Sequence, residues 1–413
     1  MDLREQRAII IAAMCRIDKT NGAWQVPSQT SPNKTYAVRL EGKGVCSCPD
    51  CAENGFVCKH IRAVRMTLKR ELGMDGITET RTIAFEEKKT YQQNWPAYDR
   101  AQAVEKEQFQ ELLFDLLKNL EEPERKKCGR KPHSHKDSIF SMCLKTYTLF
   151  SSRRASTDLR EAHKKGFLSC EIPGTKVCKF FETAEFTPIL KRLIAKSALP
   201  LRAVESQFAI DSSGFASSKF ERWYDEKWGK VKRQCKWVKT HIACGTFTNV
   251  VTAVRILDQN AADSPQFAPL VRETSRGFQI SEMSADKAYS SLENFETVAD
   301  CGGTAFIAFK ANATGMIGGL FEKMLGWFQY RQEDYLRRYH RRSNVESTFS
   351  MIKRKFGDAV MSRNETAMVN EVLCKILAHN ICCLIQEQHG LGIDPTFWDE
   401  EKESKILEMP VIA

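Results

Sequence analysis

No run of 18 or more apolar residues occurs in this chain of 413 residues, so nothing in it reads as a membrane span. The start, Met1-Asp2-Leu3-Arg4-Glu5, lacks a basic leader followed by an apolar core, and a cytoplasmic protein is expected. A disulfide framework is not expected either. The cysteines number 15, an odd count spread along the whole chain, and reduced thiols with a metal site fit that pattern better. There is no serine, histidine and aspartate set for acyl transfer and no glycine loop for cradling phosphates. His241 and His379 lie in apolar segments and read as core histidines.

What the chain does have is length for two or three domains and an uneven positive charge. Of a net +10, residues 124–165 alone carry +8, from 12 Lys or Arg against 4 Asp or Glu. Such a block attracts a polyanion, because each neutralised phosphate releases condensed counterions. Double-stranded DNA is the expected partner.

The densest chemistry lies in Tyr339-His340-Arg341-Arg342-Ser343-Asn344-Val345-Glu346, followed by Lys353. At about 100° per residue, Tyr339, Arg342, Glu346 and Lys353 fall within roughly 60° of one another around a helix. Val345, Phe349, Ile352 and Phe356 make a separate apolar stripe for burial. Two aspartates precede this helix: Asp211 in Phe208-Ala209-Ile210-Asp211-Ser212-Ser213-Gly214, and Asp286 in Ser284-Ala285-Asp286-Lys287. Each follows a short apolar or alternating run and precedes small or turn-prone residues, as a carboxylate at a strand end does. Three carboxylates suit hard divalent cations such as Mg²⁺ or Mn²⁺. A pair of such ions about 4 Å apart activates an attacking oxygen and stabilises the leaving one.

On these residues the chain resembles the DDE transposases of prokaryotic insertion sequences, in the branch whose third acid lies in a Y-(2)-R-(3)-E-(6)-K signature. Tyr339, Arg342, Glu346 and Lys353 meet every fixed position, and the likeness spans roughly residues 205 to 385. The resemblance implies an RNase H-like domain with Asp211, Asp286 and Glu346 as the catalytic acids on two metal ions. It implies that Arg342 and Lys353 grip phosphates near the element's end, that Tyr339 stacks on that end or on an extruded base, and that two protomers bridge two ends. The expected activity is metal-dependent cleavage at terminal inverted repeats and transfer of the cut strand into target DNA. The alternatives are a related nuclease without strand transfer and a domesticated DNA-binding protein.

Nearer the start, Cys46, Cys48, Cys58 and His60 supply a tetrahedral set for one structural Zn²⁺, between a strand over Tyr36 to Leu40 and a helix beginning near Ile61. The pattern resembles the SWIM zinc finger, with Cys51 as an extra thiol inside the loop.

Between the zinc module and the acids, residues 75–98 read as a linker. An amphipathic helix follows from Asp99, with Phe109, Leu112, Leu113, Leu116, Leu117 and Leu120 on one side, until Pro123 stops it. Lys126 to Pro132 form a basic arm. Helices over Lys136 to Phe150 and Arg153 to about Lys165, joined by a short turn, suggest a helix-turn-helix. On the second of these, Arg153, Thr157, Arg160 and Lys164 share one face and Ala155, Leu159 and Ala162 another. Arg153, Arg160 and Lys164 are therefore candidate DNA contacts. After Pro200, strands are expected over Phe208–Asp211, Trp237–Cys244, Val250–Ile256, Gln279–Met283 and Thr304–Phe309, with a crossover helix near Ser264–Ser275. The stretch holding Trp223, Tyr224, Lys227 and Trp228 reads as a loop or a DNA-contacting flap.

The expected architecture is α/β: a zinc module over residues 1–75, a linker and helix over 76–125, a helical DNA-binding region over 126–200, and an RNase H-like mixed sheet flanked by helices over 201–413.

Overall fold

The computed structural model describes the chain apart from residues 1–3, 5–6, 9–10, 13–14, 16, 21, 29–33, 41, 43, 55–56, 72–93, 123–131, 218–236, 258–261, 311–312, 314–316 and 399–413. The expected linker, the basic arm up to residue 131 and the aromatic stretch around Trp223 fall wholly or largely outside the described residues. The rest divides into two compact units, Met1–Gln93 and Asn94–Ala413.

In the first unit four strands, β1 (Asp18–Thr20), β2 (Ala23–Pro27), β3 (Thr35–Arg39) and β4 (Val45–Cys46), pair antiparallel in sequence order. Two helices follow, α1 (Pro49–Asn54) and α2 (Lys59–Glu71). The alternation in Tyr36-Ala37-Val38 turns Val38 inward, where it meets Val26, Ile61 and Val64. That core is small, and Cys46, Cys48 and Cys58 are part of it. A module with so few apolar side chains gains much from a cross-link at their sulfurs.

The second unit is built on the sheet β5 (Gln207–Ala216), β6 (Trp237–Gly245), β7 (Val251–Leu257), β8 (Glu282–Ala285) and β9 (Thr304–Ile307). Its spatial order is β7-β6-β5-β8-β9. The β5–β6 and β6–β7 pairs are antiparallel, and β5–β8 and β8–β9 are parallel. This is the expected RNase H-like mixed sheet. β5 lies at its centre, with Phe208, Ala209 and Ile210 all fully buried, as a strand covered on both faces must be. The crossover from β7 to β8 runs through α8 (Ser264–Gly277), and α9 (Leu292–Asp300) carries β8 back to β9. Beyond the sheet come α10 (Gly319–Tyr330), α11 (Gln332–Tyr339), a 3-10 turn (His340–Arg342), α12 (Ser343–Phe356) and α13 (Glu365–Leu391).

α13 is long and apolar enough by composition to cross a membrane, but 94% of its most apolar window is buried inside this unit. The burial accounts for the apolarity. Its polar side chains are anchors: buried Asn380 accepts from Val251 N–H at 2.8 Å and donates to the Val251 carbonyl at 2.7 Å. It also donates to Ser197 Oγ at 3.0 Å. A side-chain amide thus satisfies the backbone at β7, where the sheet ends.

Five helices precede the sheet: α3 (Trp95–Leu116), α4 (His135–Thr148), α5 (Ser152–Lys164), α6 (Gly174–Phe181) and α7 (Phe186–Ala198). α3 begins four residues earlier than expected because Asn94 caps it, accepting from Ala97 N–H at 3.2 Å. Its leucines pack into the same core as the sheet, which makes them packing residues rather than an oligomer seam. α4 and α5 match the two expected helices to within two residues. Leu149 closes α4 in the left-handed region at φ 56°. On α5, Ala155, Leu159 and Ala162 are buried while Arg153, Thr157, Arg160 and Lys164 are exposed, so the helix is amphipathic in the expected sense. Gly174 lets α6 meet α5 closely, since a Cβ there would stand 1.7 Å from the Ser152 carbonyl oxygen.

Candidate active site and zinc site

Three elements deliver the acids. Asp211 lies on β5, and its neighbour Ile210 pairs with Ala285 at the end of the adjacent parallel strand β8. Asp286 follows directly, at the C-terminal end of β8, where it caps a 3-10 turn by accepting from Lys287 N–H at 2.7 Å. Glu346 is in the first turn of α12. The sheet register places the two aspartates side by side, and α12 brings the glutamate over Asp211.

The stripe read as one helix is divided. Tyr339 ends α11 and Arg342 ends the 3-10 turn, so only Glu346 and Lys353 lie on α12 itself. The tighter turn separates neighbouring arginines. Arg341 pairs with Glu282, which also takes Arg338 at 2.7 Å, while Arg342 turns to Asp211 and Glu346. The apolar stripe is as expected: Val345, Phe349, Ile352 and Phe356 are all buried.

α12 is held by the turn between β6 and β7. Asn344 donates to the Thr246 carbonyl at 2.9 Å, and Thr348 Oγ1 lies 3.2 Å from Asn249 Oδ1. That turn is held in its own right by buried Glu205, which accepts from Phe247 N–H at 3.1 Å, Thr248 N–H at 2.5 Å and Thr248 Oγ1 at 2.8 Å. Gly245 makes room, for a Cβ there would lie 2.3 Å from the Glu205 carboxyl. At its far end α12 is tied by Lys375, whose ammonium donates to the Gly357 carbonyl at 3.0 Å and the Ala359 carbonyl at 2.7 Å.

Arg342 joins two of the acids. Its Nη1 donates to Asp211 Oδ2 at 3.1 Å and its Nη2 to Glu346 Oε1 at 2.6 Å. Burial nevertheless holds the Asp211 carboxyl above the usual aspartate range; the Ser212 N–H and Arg342 pull it down, and Asp286 and Glu346 push it up. Tyr339 is also raised, chiefly by burial. Lys353 donates to Ser213 Oγ at 2.7 Å, and burial lowers its pKa. Asp211, Glu346, Lys353, Arg354 and Asp358 line an open cleft of about 540 Å³ floored by Phe349.

Several residues of the site carried no signal in the sequence. On the far side of β5, Ser212 Oγ donates to Asp263 at 3.2 Å, and Lys239 pairs with the same carboxylate at 2.6 Å. His241 is fully buried, as expected of a core histidine, and its pKa falls to about 4 through burial. It is not inert, because Nδ1 lies 3.4 Å from the hydroxyl of Tyr289, the last residue of the turn that follows Asp286. Local patterning flags none of these, since Asp263, Lys239 and His241 each read singly as surface or core residues.

In the first unit, Cys46 and Cys48 come from the end of β4 and the residues after it, and Cys58 and His60 from the start of α2. Their ligand atoms all lie within 4.8 Å of one another. His60 presents Nδ1, 3.8 Å from Cys46 Sγ and 3.9 Å from Cys58 Sγ. The Cys58 thiol is drawn down, first by its hydrogen bond with Cys46 and then by that with His60. Cys46 is pushed up by the same hydrogen bond, and Cys48 by burial. Three sulfurs and an imidazole nitrogen are a donor set that zinc fits, and thiols release protons as it binds. Cys51 is half-buried on α1, outside that set. Every cysteine among the described residues is a free thiol. Among the described residues this is also the one group of three or more potential ligands gathered so closely, and the three carboxylates are more widely spaced.

Residues 202–381 match the family model described as the transposase DDE domain, and they form such a domain here. That span takes in β5 to β9, the three acids, Tyr339, Arg342 and Lys353. No solved structure matches the chain.

Proposed function

We propose, proceeding from a transposase DDE domain over residues 202–381, that this chain binds the ends of an insertion sequence, cuts DNA there and transfers the cut strand. The family acts on DNA with divalent metal. The observation that carries the finer reading is the convergence of Asp211, Asp286 and Glu346, from two adjacent strands and one helix, beside a cleft with two cations at its other end.

The donor set fits hard cations: the three acids offer oxygens alone, and Asp211 stays above the usual range despite the guanidinium beside it, so the cluster gains from added positive charge. Held by Asp211, Asp286 and Glu346, Mg²⁺ or Mn²⁺ ions would supply an activated water or 3′-hydroxyl and neutralise the leaving oxygen. The protein residues do the rest. Lys353 and Arg354 offer positive charge to phosphates along the cleft, and Arg342 stands beside the acids where the reacting phosphate would enter. Tyr339, half-buried at the end of α11, offers an aromatic face for a terminal base. Arg153, Arg160 and Lys164 on the exposed face of α5 read the end or follow its backbone, and two protomers bridge two ends. The N-terminal Cys/His module is compatible with one structural zinc, and we assign it to the SWIM type.

The test is a labelled duplex carrying the terminal repeats that flank the coding sequence, incubated with the zinc-loaded chain and Mg²⁺ or Mn²⁺. Cleavage at the repeat and joining of the freed 3′ end to a second duplex are expected. Asp211→Asn, Asp286→Asn and Glu346→Gln should each abolish both steps and spare end binding. Full strand transfer by any one of these variants removes that residue from the triad, and cleavage without joining leaves a nuclease.

A further inference from the structure

Arg342 is one of three arginines within five residues, and the three are sorted. Arg338 and Arg341 both close on Glu282, an acid 11% exposed at the start of β8, and their role is to hold the turn onto the sheet. Arg342 alone turns to the candidate acids, where one end of its fork holds Asp211 and the other Glu346. Lys353, the other cation of the signature, is bonded to a neutral hydroxyl instead. The two signature cations therefore stand in different states: the lysine lines the cleft and, among the described residues, hydrogen-bonds to a hydroxyl with Asp358 as a nearby charge, whereas the arginine is engaged by two carboxylates proposed to hold metal.

A planar fork bonded to one oxygen of each acid occupies the space that those oxygens would share around an ion. A guanidinium and a divalent cation cannot both stand between them without strong like-charge repulsion. The guanidinium is also well matched to phosphate, which it binds bidentately as it does carboxylate. Its side chain is 22% exposed and Glu346 is 57% exposed, so the Glu346 end of the bridge opens outward without disturbing the core.

We propose that Arg342 is a gate that couples cation entry to DNA binding: without DNA it bridges Asp211 and Glu346 in place of a divalent ion, and a DNA phosphate draws it away. This rests on the reading of the three acids as the metal centre. Asp211 is then shielded from a lone cation until an end is in place. By reciprocity, the factor by which DNA tightens cation binding is the factor by which the cation tightens DNA binding. Such couplings typically amount to a factor of about 5 to 150.

The test reads binding rather than cleavage. Mn²⁺ binding to the full, zinc-loaded chain without DNA is followed by electron paramagnetic resonance for the parent, Arg342→Gln, Arg342→Lys and Asp211→Asn. Arg342→Gln is expected to bind Mn²⁺ about tenfold more tightly than the parent. Arg342→Lys, which keeps the charge but loses the fork, should fall between. In a second arm, fluorescence anisotropy measures affinity for a 5′-phosphorylated duplex with and without Ca²⁺ at matched ionic strength. Ca²⁺ should tighten the parent's binding and affect Arg342→Gln much less. Mn²⁺ affinity in Arg342→Gln equal to or weaker than the parent's, or a Ca²⁺ effect the same in both, overturns the gate. Asp211→Asn separates the two levels of inference. If it leaves Mn²⁺ binding intact, the acids are not the metal centre; if it abolishes binding and Arg342→Gln still fails to tighten it, the gate alone falls.

Discussion

Replacing Glu205 with alanine should weaken the fold and misplace Glu346 at once, although the two acids share no contact. The Glu205 carboxylate takes the Thr248 N–H, the Thr248 hydroxyl and the Phe247 N–H. Phe247 is 47% exposed, so water replaces the carboxylate there, but Thr248 is buried and both its donors are stranded. At about 1–3 kcal/mol for each buried donor left unsatisfied, the loss is about 2–6 kcal/mol. Burial already holds the Glu205 carboxyl above its usual range, so removing it returns part of that cost and the lower half of the range is expected. The turn it holds carries the anchors Thr246 and Asn249 for α12, and a catalytic group displaced by about 1 Å costs on the order of a hundredfold in rate. Urea unfolding of the full chain and metal-dependent cleavage of an end duplex measure the two effects. Glu205→Gln keeps an acceptor and should lose less on both scales. An alanine variant whose unfolding free energy stays within about 0.5 kcal/mol of the parent, with an unchanged cleavage rate, would show that the turn holds its shape without the carboxylate.

Asp211→Asn should abolish cleavage yet leave the urea midpoint without added divalent cation no lower than the parent's, because the Asp211 charge is disfavoured by burial and by its neighbours; a clear drop would mean that the Arg342 bridge outweighs them. Cys46→Ser or His60→Ala should lose one zinc per chain by elemental analysis and leave DDE-dependent nicking in place, and protein purified without chelator that contains no zinc removes the site. Combining Arg160→Ala and Lys164→Ala should weaken end binding and reduce the log-log salt slope by about one unit per lost phosphate contact; an unaltered slope takes α5 off the DNA. Burial pushes the Glu387 carboxyl up from 4.5 to about 7, so its contribution to stability is present below about pH 4.5 and is lost as pH rises through 7. Glu387→Gln should flatten that part of the urea midpoint profile, and identical profiles for parent and variant would assign the dependence elsewhere.

The strands of the sheet were legible because each is a short apolar or alternating run between turn residues; β6 to β9 fall within three residues of their expected places, whereas β5 runs five residues past its expected end to Ala216, so Asp211 lies inside the strand rather than at its end, because its partner β6 continues the pairing as far as Trp237. The spacing that singled out Asp211, Asp286 and Glu346 agrees with where the fold places them, around adjacent strands and the first turn of α12, and the Cys46, Cys48, Cys58 and His60 set was legible through its ligand chemistry. α13 gave little signal, since a helix buried nearly all round has no amphipathic period to read. The 3-10 turn before α12 also escaped, because its cause is tertiary: Arg341 and Arg342 answer to carboxylates 59 and 131 positions away. The same holds for Glu205, Asn344 and Asn380, polar residues that look solvated in the sequence and are anchors only once distant backbone groups arrive beside them.

Asn380 also sets an order of events during synthesis. It is added 129 residues after Val251, whose N–H and carbonyl it satisfies. At roughly 5–20 residues per second, about 6 to 26 seconds pass between the two on the ribosome. Through that interval the Val251 backbone lacks the partner it has in the finished fold and is open to pairing with other nascent chains, because the apolar helix that supplies that partner is incomplete. A message cut short before residue 380 would thus yield a chain whose sheet is largely made and unguarded, and the yield of soluble protein should depend on finishing translation more steeply than chain length alone predicts.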